Sequence, residues 1–354
     1  MLDREAALYE RLRDRGVSVS FVTYGNAAEL EYQSRLSGIQ ILCNRWGMPN
    51  AIYEKFLHHF HGKALKSCDL IKTNQMNGAD LALRCANHWG KPLICRIGYM
   101  WSEFINNENG SSEKVIRVEN ELFYSSDRIT VTTDEMKENI LDRIPDSKDK
   151  TLVIPNYVQT GNFRPNPQMK IEFDILFVGR LSPQKNISSL LTALHNIDAK
   201  TMIIGNGVLK NELQSVSDNS NQKIIWQGNV PNSELPLFMC RSSLFILPSH
   251  YEGHPKTLIE AMACGMPVIG ADSPGIRELI VDGVNGLLCG TDPSSIRTSI
   301  QELLKNPGLC EFLGKNARQY VLDNFSLDRV LEMEYQLYKK VLYERESKKS
   351  KNIN

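Results

Sequence analysis

The chain has 354 residues, 42% of them hydrophobic, with 41 basic and 41 acidic side chains and a formal net charge of zero. That length favours two domains, each burying roughly 70% of its unfolded surface, and the charge balance leaves no net field to draw in nucleic acid. No apolar run approaches the roughly 20 residues that span a bilayer, no signal peptide opens the chain, and the cysteines carry no Cys-x-x-Cys pair, which fits buried thiols in a reducing cytoplasm.

The first predicted element is a helix over 3–15. Strands are predicted over 17–23, 39–42, 70–72, 92–95, 129–131 and 152–154, and helices over 79–89 and 112–124. A doubly wound domain normally opens with a central strand and a glycine-rich turn before such a helix. Both are missing here. A missing central strand leaves backbone groups unpaired on two neighbours. We therefore expect either a chain truncated at its N-terminus, the reading we favour, or another element in that place. The segment 155–167, with three prolines and a glycine, reads as an interdomain linker.

The second half has a clearer rhythm. Apolar runs over 174–178, 201–204, 223–227, 244–247, 267–271 and 286–288 alternate with helical patterns. The helices fall near 186–194 (opened by a capping-type Asn186), 209–216, 233–240 and 256–264. Short apolar runs alternating with helices imply a parallel sheet covered on both faces, a doubly wound α/β domain. A last long helix is predicted over 327–346, with Leu331, Tyr335, Leu337, Tyr338 and Val341 on one face, and the polar tail 347–354 is expected to fray.

Ligands of open α/β sheets bind beyond the carboxyl ends of the strands. That rule selects Gly179, Arg180 and Lys185 after one run, Gly205-Asn-Gly207 after the next, then Asn229 and Val230, then His250-Tyr-Glu252-Gly253-His254-Pro255. A guanidinium fork and an ammonium at one strand end suit a diphosphate, although two solvated cations beside a turn are the plain alternative. Gly-x-Gly lets backbone approach a phosphate, and is equally an ordinary turn. Pro255 starts a helix near Lys256, placing Glu252 in the loop above the strand end and Glu260 about one turn into the helix. Carboxylates there can accept hydrogen bonds from vicinal hydroxyls of a ribose or hexose. The free N–H groups of the helix start, with Thr257, favour phosphate. Glu260 is followed by the packed-looking Ala-Met-Ala-Cys, which argues against a merely solvated residue. His250 and His254 complete no ligand spacing for a metal. The chain also has no Asp-x-Asp pair and no Gly-x-Ser-x-Gly nucleophile.

These residues resemble a known pattern. Gly179-Arg180-Leu181 with Lys185, Gly205-x-Gly207, Glu252-Gly253 with Glu260-Ala-Met-Ala-x-Gly265-x-Pro267-Val268, Gly275-Ile-Arg-Glu278 and Asn285-Gly286-Leu-Leu resemble the retaining nucleotide-sugar glycosyltransferases of family four. The resemblance covers about 174–338 strongly. It implies the GT-B architecture, two facing doubly wound Rossmann-like domains with a cleft between them. An acceptor-side domain would occupy 1–160, a donor-binding domain 161–326, and a helix over 327–346 would cross back. It implies that Arg180 and Lys185 hold the diphosphate and Glu260 the ribose hydroxyls. Asn229 and Val230 would border the base. Glu252 would contact the donor sugar, with Gly179, Gly205, the amides of Gly253 and His254, and Thr257 lining the donor.

On the acceptor side, relatives often carry histidines after the strands 70–72 and 92–95. Here Asn74-Gln75 and Arg96-Ile-Gly98-Tyr99 stand instead, so Asn74 and Arg96 are the candidates. The resemblance implies a hexosyltransferase using a nucleotide diphosphate sugar such as a UDP-sugar. Its acceptor would be a glycan or lipid-linked sugar of surface polysaccharide or glycolipid biosynthesis. No cofactor and no catalytic metal are expected, and the protein would be cytoplasmic or peripheral at the inner membrane face. A nucleotide-sugar epimerase on the same fold and a non-catalytic sugar-nucleotide-binding partner are the alternatives.

Overall fold

The computed structural model describes residues 2–36, 38–102, 105, 113–219 and 222–351. The chain divides into two compact units, one of Met1–Ile154 with Leu331–Asn354 and one of Pro155–Val330.

The first unit holds two parallel sheets. One pairs β1 (Ser20–Asn26) with β2 (Gln40–Asn44), with Ser20 opposite Gln40. The other runs β3 (Ile71–Lys72), β4 (Leu93–Ile97), β5 (Arg128–Val131), β6 (Thr151–Val153) in that spatial order. Among the described residues no strand joins β1 to β3. Side chains span the interval: Val22, Tyr24 and Ile71 share an apolar cluster with Tyr53, Leu57, Leu81 and Cys85, and the Tyr24 hydroxyl lies 3.5 Å from the Gly78 carbonyl.

The helices of this unit are α1 (Leu2–Arg13), α2 (Asn50–Phe60), α3 (Gly62–Ser67), α4 (Ala79–Trp89), α5 (Glu113–Ser125) and α6 (Asp134–Arg143). Residue 112, expected to open α5, lies outside the described residues. α4 ends on Gly90 in the left-handed region, which returns the chain toward β4. Thr133 caps α6 by accepting from the Met136 amide at 3.2 Å, with Asp134 and Glu135 in the first turn.

The second unit is a single six-stranded parallel sheet. Its strands are β7 (Phe173–Val178), β8 (Thr201–Ile204), β9 (Ile224–Gly228), β10 (Ser242–Leu247), β11 (Val268–Ala271) and β12 (Leu287–Cys289). Their spatial order is β12-β11-β10-β7-β8-β9. The helices between them are α7 (Ile187–Ala193), α8 (Lys210–Asn219), α9 (Leu235–Cys240) and α10 (Lys256–Ala263); α11 (Pro293–Lys305) and α12 (Pro307–Asn324) follow the sheet. The central runs Ile-Leu-Phe-Val and Leu-Phe-Ile-Leu are buried on both faces, with Phe177 and Phe245 fully enclosed. Each such side chain contributes roughly 1.5–3 kcal/mol of transfer free energy.

Two expectations are corrected and one is sharpened. The segment 155–167 begins at the division between the two units, and it is packed: Val158 and Phe163 are buried in the second unit's core, and Val158 bridges Ser326 in parallel. The last helix, α13 (Leu327–Lys351), runs past 346, so 347–351 is helical. Residues 352–354 lie outside the described ones. Its final turns are held within the first unit by an Arg128–Glu344 ion pair and an Arg345 hydrogen bond to the Gly90 carbonyl. On that helix Glu334, not Tyr335, takes a buried place. Its carboxylate pairs with the Lys72 ammonium at 2.6 Å, with side chains only 1% and 7% exposed.

Candidate active site

β7 lies between β10 and β8, so the winding of the sheet reverses between β7 and β10. Ligands of doubly wound sheets sit in the crevice at this reversal. Two segments leave the strands there. The segment after β7 makes a short turn over Pro183–Lys185, and the segment after β10 is Pro248–Pro255.

They are laced together. The His250 amide donates to the Gln184 carbonyl at 2.9 Å. The Gln184 side-chain amide donates to the Tyr251 carbonyl at 2.8 Å. Asn186, at φ 53°, donates to the Pro248 carbonyl at 3.1 Å and the Thr291 carbonyl at 2.8 Å. It makes no side-chain capping bond, so this asparagine staples two loops rather than capping α7. At the centre the Lys185 ammonium pairs with the Glu252 carboxylate, both side chains being largely shielded. Arg180 stands exposed, five residues before Lys185 in the same segment.

Close backbone approach explains two of the glycines. Gly205 has φ +143°, and a Cβ there would lie 1.8 Å from the Gly179 carbonyl oxygen. Gly275, at φ +76°, would bring a Cβ within 2.4 Å of the Glu252 carbonyl oxygen. The Glu252 amide donates to the Pro274 carbonyl at 3.0 Å, and the Ser273 hydroxyl to the Ser249 carbonyl at 2.8 Å. Substituents would therefore push apart the loops that carry the charged pair.

Glu260 sits in the second turn of α10 and is 3% exposed. A buried carboxylate needs hydrogen bonds, and the Asn232 amide donates to one of its oxygens at 3.0 Å. Thr257, half-buried, lies in the first turn of α10, while Asn229 is exposed and Val230 packs against the core. Gly253 is half-buried in the loop. The His254 ring is turned inward, edge to face with Phe325 at 5.1 Å. The His254 carbonyl accepts from Asn156 at 2.7 Å.

Within the first unit, Asn74 and Arg96 come together at the carboxyl ends of β3 and β4. The Arg96 guanidinium donates to the Asn74 carbonyl at 3.3 Å, and the Arg96 amide to the Thr73 hydroxyl at 2.8 Å. The Tyr9 hydroxyl approaches the Asn74 side-chain oxygen at 3.5 Å. Gln184, Asn186 and Asn232 were not singled out by sequence reasoning as site residues. Each is an amide in a turn beside a strand end, and that position was the available signal.

The fold and the strand-end site define a glycosyltransferase of GT-B architecture. Residues 6–162 match the family described as Glycosyltransferase Family 4, and residues 159–320 the family described as Glycosyl transferases group 1. The chain belongs to this glycosyltransferase family. It is 27% identical over 330 residues to an uncharacterized glycosyltransferase of Methanocaldococcus jannaschii, covering 88% of this chain and 87% of that one. It is 27% identical over 197 residues to the GDP-mannose-dependent alpha-(1-6)-phosphatidylinositol monomannoside mannosyltransferase of Mycolicibacterium smegmatis, covering 49% and 52% of the two chains. In fold it is similar to sucrose-phosphate synthase from Thermosynechococcus elongatus, with TM-score 0.83, 20% identity and coverage of 95% and 92%. It is also similar to Anabaena HepE in complex with UDP and glucose, with TM-score 0.78, 17% identity and 95% coverage of each chain. No helix among the described residues is long and apolar enough to cross a membrane.

Proposed function

We propose that this enzyme transfers a hexosyl group from a nucleoside diphosphate sugar to an acceptor hydroxyl with retention of anomeric configuration. The observation that carries the reading is the Lys185–Glu252 pair at the reversal of the sheet, with the exposed Arg180 on the same segment. Arg180 and Lys185 hold the diphosphate, helped by Thr257 and the positive end of the α10 dipole. Glu260 accepts from the ribose hydroxyls, Asn229 and Val230 border the base, and Glu252 meets the donor sugar beside the Gly253 and His254 amides. Gly179 and Gly205 allow the backbone to come close.

In the reaction the C1–O bond to the β-phosphate breaks and its electron pair leaves with the diphosphate. The acceptor oxygen bonds to C1 on the same face, and its proton passes to the departing phosphate oxygen. The cations stabilise the charge that develops on that oxygen. They supply the charge a metal would otherwise bring, so we propose turnover without a catalytic metal, retained after EDTA treatment. One relative is GDP-mannose-dependent and HepE has been seen with UDP-glucose, and a UDP-sugar is the first donor to test. We propose a glycan or lipid-linked sugar as acceptor, approached through Asn74 and Arg96 and, for a lipid-linked one, at the cytoplasmic membrane surface.

The test is donor hydrolysis and transfer by two variants. Arg180→Ala should lower kcat about 10²–10³-fold. Glu260→Ala should raise donor KM roughly tenfold to a hundredfold, the loss of a hydrogen bond to a charged group. Undiminished turnover in both variants sinks the assignment, and an inverted product anomer sinks the retention.

A further inference from the structure

A second constellation lies on the surface of the first unit, on elements that carry none of the residues assigned to sugar transfer. His58 and His59 close the last turn of α2, and His88 lies in the last turn of α4. One nitrogen from each of the three imidazoles lies within 4.8 Å of those of the others. The ring centroids are 4.2 Å apart for His58 and His59, 4.7 Å for His58 and His88, and 5.4 Å for His59 and His88. Sequence spacing hides the cluster, because His88 is remote from the other two and only the packing of α2 on α4 brings it in.

The scaffold under the rings is fixed. The Trp89 indole N–H donates to the His58 carbonyl at 3.1 Å, tying the two helix ends together. Beneath it, Tyr53 and Leu57 of α2 pack with Leu81 and Cys85 of α4. His58 is half-buried, while His59 and His88 are exposed and free to adjust their rotamers. Three imidazoles with no carboxylate among them would repel one another if protonated. As neutral rings they bring three ligand nitrogens within 4.8 Å of one another. Metal–nitrogen bonds of about 2.0–2.1 Å would draw the nitrogens inward by on the order of 1 Å each, within the reach of a rotamer change.

We infer that His58, His59 and His88 bind one divalent transition-metal ion of the imidazole-preferring class, zinc, copper or nickel. The ion clips the C-terminal turns of α2 and α4 together and leaves its remaining positions to solvent. It takes no part in sugar transfer.

The test uses the full-length protein stripped with EDTA and titrated with Zn²⁺ in a calorimeter. One equivalent should bind. His59→Ala and His88→Ala, both at exposed positions that leave the fold intact, should each weaken it by more than the roughly 10–100-fold that loss of a merely orienting partner costs. His195→Ala, at an exposed histidine outside the cluster, should change nothing. Zn²⁺ should also raise the thermal midpoint of the parent and not of His59→Ala or His88→Ala, because it binds only the folded arrangement. Absence of binding overturns the site, as does a Zn²⁺ affinity that neither His59→Ala nor His88→Ala alters.

Discussion

The two units use the same doubly wound plan but hold it together differently. In the second unit one sheet runs unbroken through six strands, and the loops at its carboxyl edge are fixed by backbone contact and amide staples. In the first unit the sheet is divided into two strands and four, and buried ion pairs tie its elements. Lys72 on β3 pairs with Glu334 on α13. Glu119 on α5, fully buried, accepts from the Ser102 amide at 3.0 Å, the Ser102 hydroxyl at 2.7 Å and the Arg143 guanidinium of α6 at 2.8 Å. Where the hydrogen-bond ladder continues, backbone contact and amides fix the sheet's edge around the Lys185–Glu252 pair. Where it is interrupted, charged side chains do the cross-linking. The difference predicts which kind of substitution each unit tolerates.

The largest effects should come from the first unit's charges. Removing one member of a buried pair leaves the other uncompensated, at a cost of about 3–5 kcal/mol. Glu119→Ala and Glu334→Ala should each lower the urea midpoint accordingly, with amide-exchange protection lost first in the first unit. Restoring the site with apolar volume, as in Lys72→Met with Glu334→Leu, should recover most of that loss. Single-variant losses below about 1 kcal/mol would remove the contrast.

Next in size is Gly205→Ala in the second unit. Its added methyl meets a backbone carbonyl, which no rotamer relieves, so a loss of about 3 kcal/mol is expected together with weaker donor binding. Gly228, at φ +72°, has open space around it. Gly228→Ala should therefore cost only the left-handed backbone penalty, about 1–2 kcal/mol. Equal losses at the two positions would show that crowding of the β7 and β8 ends is not what fixes this edge.

The same contrast governs what the sequence revealed. The second unit was legible because its strands are continuous apolar runs that alternate with helical patterns: the helix predicted from Lys256 and the strand over 201–204 stand where expected. Even there α11 and α12 were missed, although Asp292-Pro293 and Asn306-Pro307 are cap-and-first-turn signals. In the first unit α2, α3 and α6 went unread, and Glu334 was not picked out. Nothing local shows that Lys72, remote in sequence, will neutralise it. The site residues Arg180, Lys185, Glu252 and Glu260 were legible because strand ends locate them. Their lacing was not, since Asn186 and Asn232 act on partners far along the chain.

The smallest expected effect concerns a thiol. Among the eight cysteines, seven are pushed up, chiefly by burial or, for Cys264, by its hydrogen bond to Cys240. Cys240, at the end of α9, is lowered to about 7, chiefly by the neighbouring Cys264 thiol, which outweighs the desolvation; the Cys264 thiol also lies 3.8 Å from the Met239 sulfur. The thiolate is the reactive form. Alkylation of Cys240 should therefore rise through a midpoint near pH 7, while Cys68 and Cys310, comparably half-buried, react only at higher pH. Folding should be almost untouched. Cys264→Ala removes that thiol and should carry the Cys240 midpoint back toward the ordinary thiol range. Mass-resolved labelling across pH reads both. If Cys240 follows the same profile as Cys310 in the parent, the Cys264 thiol is not what lowers it. If Cys264→Ala leaves the Cys240 midpoint near 7, another group does.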